Sequence, residues 1–138
     1  MSRALPPPTS LRLVNDEPAI ALDPAALQRL RDLDPGGRGR LLERVLEAFE
    51  SSSTRLAAQL VEARERDDTA GIRLVVHTLK SSSASIGALL LARLCAEIEA
   101  SLRDGMHADL AGRLDAMLHE LQVVLQMVKP MLKGTPPP

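Results

Sequence analysis

A histidine, a lysine three positions later and a run of small residues stand together in the stretch HTLKSSSASIGA, residues 77–88. At about 100° per residue, a helix here places Arg73, His77, Lys80, Ser81 and Ala84 on one narrow stripe. Ile72, Val75, Val76, Leu79, Ser83 and Ile86 form a second stripe, centred roughly 140° away. The apolar stripe must face a core, so His77 is presented to solvent beside a cation and a low, small-residue surface. That arrangement suits a nucleophilic imidazole approached by a bulky partner.

Glu99 is the natural companion of His77. The two are separated by 22 residues, with Ala88 midway, just past a glycine corner at Gly87. In an antiparallel helical hairpin, residues equidistant from the corner lie at the same height. Glu99 also sits at the margin of its own helix's apolar stripe, about 80° from Leu91. A carboxylate accepting from Nδ1–H would select the tautomer whose Nε2 carries the lone pair. The competing reading is a surface Glu99 paired with Arg103 at i,i+4. Lys80 would favour an anion built on His77, or else is a solvated lysine. Arg73 would add positive potential, or is likewise simply solvated. Ser81, Ala84, Ser85, Ala88, Ala92 and Ala96 would surround His77 with a low docking surface, or serve close helix packing. Cys95 reads as a small core group, and His107 and His119 as exposed histidines without partners.

The elements that must position these residues are helical. The chain has 138 residues, enough for one domain, with Phe49 its only aromatic. A core of Leu, Val, Ile, Ala and Met fits packed helices better than a sheet. Asp23-Pro24 signals a helix start, with Leu27, Leu30 and Leu33 on its apolar face. A long helix follows from about Arg38 to Arg66, carrying Leu42, Val45, Leu46, Phe49, Ser53, Leu56, Leu60 and Ala63 inward. Its weakest part is Ser51 to Thr54, where a kink is expected because such side chains compete for backbone hydrogen bonds. Asp67-Asp68 supplies a turn and N-cap for a helix over Thr69 to Ser85. Gly87 turns the chain into a helix over about Ala88 to Arg103, and Asp104-Gly105 ends it. The last helix runs from about His107 to Leu132, its final turn weakened by Pro130. The fold class is therefore all-α: an antiparallel four-helix bundle with a short additional N-terminal helix. Residues 1–21 are expected to be a tail or linker that could tether the domain to something upstream. Residues 22–133 form the helical domain and 134–138 a disordered tail.

Composition and missing motifs exclude other functions. Net charge is −1 with mixed signs, and there is no basic surface or aromatic platform for nucleic acid. A single cysteine allows neither an internal disulfide nor a cysteine metal cluster. No apolar run approaches a membrane span, and Pro6 to Pro8 interrupt any signal peptide. A cytoplasmic setting is the default. There is no phosphate-binding loop of the G-x-x-x-x-G-K-[ST] kind and no nucleotide-binding glycine fingerprint. His119-Glu120 opens an H-E-x-x-H pattern that Val123 breaks, and no Glu-x-x-His pair exists.

His77, Leu79, Lys80, the small run Ser81 to Ala84, Gly87-Ala88, Leu91, Leu94, Cys95 and Glu99 together resemble the histidine-containing phosphotransfer (HPt) domain of two-component phosphorelays. The resemblance is specific over Ala70 to Ala100 and extends loosely from Leu22 to about Leu132. It departs from the family at Ser81, where glycine usually follows the lysine. It implies that His77 accepts a phosphoryl group from a receiver phospho-aspartate and passes it to another response-regulator receiver. It supports Glu99 as the residue orienting His77. The chain is then a carrier rather than an enzyme. It has no cofactor of its own, and the partner receiver supplies Mg²⁺ and an acidic pocket. Two alternatives stand beside this reading. A histidine kinase could phosphorylate His77 directly, or the chain could be a helical adaptor that docks receivers without carrying phosphate. A hybrid sensor histidine kinase is a further possible partner, and the domain would then be the cytoplasmic end of a membrane-bound kinase.

Overall fold

The structure, a computed structural model, describes residues 21–133. Five α-helices form among them and no strand: α1 Pro24–Asp32, α2 Leu41–Glu65, α3 Thr69–Ser85, α4 Leu89–Arg103 and α5 Leu110–Lys133. Contacts run from α2 to α3, α3 to α4, α4 to α5 and α5 back to α2, closing a four-helix ring, and α1 packs on α2. The expected bundle with its short extra helix is what the chain builds. The expected tails at 1–20 and 134–138 lie outside the described residues. Ala21, placed with the tail, is instead buried beside Leu22.

Each helix starts or stops for a local reason. Asp23 Oδ1 accepts from Ala25 N–H at 3.1 Å, and Pro24 occupies the first helical position, where its missing N–H costs nothing. The helix stops at Asp32, so Leu33 is its C-cap and remains 74% exposed rather than joining the core. The long helix begins at Leu41, later than its periodicity suggests. Gly37 and Arg40 take positive φ, which breaks the helix between them and Leu41. The Asp34 carboxylate then accepts from Gly39 N–H at 3.1 Å and Leu41 N–H at 3.0 Å, serving donors that no local cap reaches. Those bonds hold its carboxyl below the ordinary value.

The expected kink in α2 is absent as a break, and the helix runs unbroken through the serine cluster. Thr54 Oγ1 donates to Glu50 O at 2.8 Å and Ser53 Oγ to the same carbonyl at 3.3 Å, so these hydroxyls bond within the helix. Asp68 Oδ1 accepts from Gly71 N–H at 2.9 Å and starts α3 as its motif indicates. α5 begins at Leu110 rather than His107 and continues past Pro130 to Lys133. The proline removes one donor close to the helix end, where few helical bonds remain to be lost.

The core is the set of inward stripes. Leu46 and Leu60 of α2, Val76 and Leu79 of α3, Leu91, Cys95 and Ile98 of α4, and Leu114, Met117, Leu121, Val124 and Val128 of α5 are all nearly inaccessible. Each such leucine or isoleucine contributes roughly 1.5–3 kcal/mol. Ser83 lies on the same inward stripe, and its hydroxyl is buried without a partner.

The corner between α3 and α4 is what sets the site. Gly87 N–H donates to Ala84 O at 3.1 Å and Ala88 N–H to Ser83 O at 2.9 Å, the paired bonds of a Schellman C-cap. That cap requires the left-handed conformation, and Gly87 has φ of +81°. Asp23 N–H also donates to Gly87 O at 2.8 Å, docking the start of α1 on the corner. A Cβ on Gly87 would stand 2.7 Å from Ala26 Cβ. Gly87→Ala is therefore expected to destabilise the fold by about 2–4 kcal/mol, adding left-handed strain to the clash. Denaturant titration checks this. A midpoint unchanged from wild type would show that α1 does not clamp the corner.

Candidate functional site

The α3 stripe faces outward as its spacing requires. Arg73, His77, Ser81, Ala84 and Ser85 are exposed, and Lys80 is half-buried. The His77 side chain is 58% accessible. Ala88 departs from the expectation. It is the N-cap of α4 and fully buried, because the Schellman turn folds it into the core. It offers no docking surface.

Across the hairpin, Glu99 meets His77 at the height the corner dictates. His77 Nδ1 lies 2.6 Å from Glu99 Oε2, and Lys80 Nζ donates to Glu99 Oε1 at 2.6 Å. One carboxylate thus serves both side chains, one oxygen each. The Lys80 bond, and after it the His77 bond, hold the Glu99 carboxyl below its ordinary value, against the opposing effect of its partial burial. Glu99 is therefore ionised at neutral pH and can only accept. Nδ1 must carry the proton, and in the neutral ring Nε2 carries the lone pair.

Two alternatives from the sequence are decided by this geometry. Glu99 does not pair with Arg103, whose nearest carboxylate is that of Asp104 at 3.8 Å. Lys80 is not simply solvated, because it is engaged on Glu99. Cys95 packs in the core beneath, and burial, with the Glu99 charge adding, pushes its thiol up to about 12. It is no nucleophile at neutral pH. His107 and His119 are exposed.

Leu74 also borders the site, although spacing alone assigns it no role. It is 65% exposed and borders a groove with Ala70, Arg73, His77 and Glu99. Its only signal was a leucine standing off the apolar stripe. A second groove, lined by Val45, Ala48, Phe49, Ser52, Ser82, Ser85 and Ile86, opens between α2 and α3. Among the described residues, no group of three or more His, Cys, Asp or Glu side chains could hold a metal ion. None of their helices is long and apolar enough to cross a membrane.

The shared carboxylate has two measurable consequences. A folded-state value depressed below 4.5 means the pairing stabilises the fold above that pH and is lost as pH falls through the folded value. Wild type is therefore expected to lose stability relative to Glu99→Gln on acidification below pH 4.5, read as the difference between their denaturation midpoints. In ¹⁵N NMR, wild-type His77 is expected to be protonated on Nδ1. Glu99→Ala should return it towards the Nε2–H form that free imidazole prefers. A wild-type ring protonated on Nε2 would contradict the assigned hydrogen bond.

A family model described as Hpt domain matches residues 44–127. The crystal structure of histidine-containing phosphotransfer protein B (HptB) from Pseudomonas aeruginosa PAO1 is similar, with a TM-score of 0.76 and 25% sequence identity. The match covers 86% of this chain and 99% of that one. No curated protein matches the chain. With the family model spanning more than half of its residues and the bundle shared with a phosphotransfer protein, the chain belongs to the Hpt domain family, with a histidine phosphotransfer role in phosphorelays.

Proposed function

We propose that the chain is a phosphorelay intermediate that receives a phosphoryl group on His77 from a receiver phospho-aspartate and delivers it to a second receiver. The observation that carries this reading is the 2.6 Å contact between His77 Nδ1 and Glu99 Oε2 beneath an accessible ring. In the forward step the Nε2 lone pair forms the N–P bond as the aspartyl O–P bond breaks, and the aspartate leaves as carboxylate. The ring gains positive charge, and Glu99 stabilises it while holding the Nδ1 proton in place. Delivery reverses these changes on the second receiver's aspartate. In-line transfer needs positioning and charge neutralisation more than covalent assistance. The receiver contributes Mg²⁺ and its acidic pocket. This chain contributes the nucleophile, its orientation and a docking face of Arg73, Ser81, Ala84 and Ser85. It acts as a carrier rather than an enzyme, alongside cytoplasmic receivers.

Ser81 follows His77 by one helical turn, where a receiver loop must approach closely. Serine adds only a hydroxymethyl group to the glycine usual in the family and favours the helix. Ser81→Gly is expected to retain transfer at a stability cost of roughly 0.5 kcal/mol. Ser81→Gln should keep the fold, because the position faces outward, yet block transfer sterically. Incubation with phosphorylated receivers tests the whole reading. Wild type should acquire an acid-labile, base-stable label that His77→Gln lacks, with helical circular dichroism unchanged. Labelling of His77→Gln would overturn the assignment. Labelling by a kinase domain and ATP, but by no receiver, would replace it with direct phosphorylation.

A further inference from the structure

The groove between α2 and α3 takes no part in the transfer chemistry. Buried Phe49 and Ile86 form its floor, half-buried Val45 and Ser82 its walls, and exposed Ala48 and Ser85 its rim. Its polar groups are spent within the helix: Ser82 Oγ donates to Leu79 O at 3.2 Å and Ser85 Oγ to Ser81 O at 3.1 Å. The volume is about 280 Å³. A small-molecule site runs to roughly 300–1,000 Å³ and offers convergent polar groups. This groove is smaller and apolar, so it fits a few aliphatic side chains of a polypeptide.

Such side chains stand close by in the same chain. Ala21 and Leu22 are buried, and Asp23 N–H donates to Gly87 O at 2.8 Å, so the chain enters the described structure at the α3–α4 corner. Ile86, on the groove floor, is the residue next to Gly87. From Pro6 to Pro18, Leu11, Leu13 and Val14 are the only aliphatic residues. The stretch between Val14 and Ala21 can span about 20 Å at most. The α2 wall of the groove, from Val45 to Ser52, is about 10 Å long. The aliphatic triplet therefore reaches the whole groove. A tether this short supplies a local concentration on the order of millimolar, at which even a weak contact is occupied. A separate partner has no such advantage.

We propose that Leu11, Leu13 and Val14 dock in the α2–α3 groove as an intramolecular cover. Ser85 belongs both to the groove rim and to the face around His77. The docked segment therefore stands along one edge of that face, and a receiver must displace it. The docking stands on the groove and the tether; its effect on receivers rests on His77 being the carrier. At a local concentration a few times the dissociation constant, about three-quarters of the molecules are covered, which weakens receiver binding about fourfold.

Methyl NMR on the full chain tests this. Wild type is expected to show nuclear Overhauser contacts from Leu11, Leu13 or Val14 to Val45, Ala48 and Phe49. Leu11→Ser/Leu13→Ser/Val14→Ser should shift the Val45, Ala48 and Ser82 resonances. It should also lower, about fourfold, the half-saturating concentration of a phosphorylated receiver that labels wild type. Ala48→Asp, on the exposed rim, should abolish the same contacts from the other side. Groove resonances identical in wild type and the triple variant, with no such contacts, would overturn the cover and leave the carrier reading intact. Contacts seen only between differently labelled molecules would assign the groove to a second copy, and a groove that responds only to added receiver would assign it to the receiver. Either result overturns the proposal. Docking with an unchanged half-saturating concentration would overturn the effect on receivers. Docking in a chain whose His77 no receiver labels would keep the cover and end the carrier reading.

Discussion

Glu99 places one carboxylate between an imidazole and an ammonium, and the chemistry of the site depends on that sharing. Each oxygen accepts one short bond, to Nδ1 of His77 and Nζ of Lys80. The carboxylate stays ionised because two donors lower its protonation value together. An ionised acceptor dictates where the imidazole proton sits, and that proton dictates which nitrogen can form a new bond. Lys80 keeps Glu99 charged and in place while leaving the ring itself open to solvent. A base of this kind needs no buried pocket, which suits a group that must be reached by another protein.

The sharing depends in turn on the hairpin between α3 and α4. Gly87 reverses the chain through a left-handed residue, and the Schellman bonds fix how the two helices start from it. Without that rigid corner, His77 and Glu99 would not meet at one height. The corner is itself held from outside the hairpin, since Asp23 N–H bonds Gly87 O and Ala26 packs where a Cβ would otherwise stand. The short first helix therefore stabilises the element that positions the site. The opposite faces of α3 and α4 bury Val76, Leu79, Leu91, Cys95 and Ile98 against α2 and α5. That burial fixes which faces of the two helices turn outward.

The sequence by itself determined the helices, the corner and the candidate nucleophile. Those depend on near neighbours: apolar spacing for α2 to α5, Asp23 and Asp68 as caps, and Gly87 as the residue able to turn. The meeting of His77 with Glu99 was also legible, because an antiparallel hairpin has a symmetry that residue numbers reveal. Tertiary structure decided what depends on groups distant along the chain. It gave Lys80 to Glu99, since an ammonium on a long stem takes whichever carboxylate the next helix brings within reach. It buried Ala88, because the C-cap folds inward a residue that spacing alone places near the surface. The loop between α1 and α2 was equally illegible from spacing: Asp34 caps Leu41 from seven residues upstream, and Leu33 stays outside the core where α1 ends. Periodicity marks which face of a helix is apolar, but the partner of a charged side chain and the last residue of a helix are settled only when the helices pack.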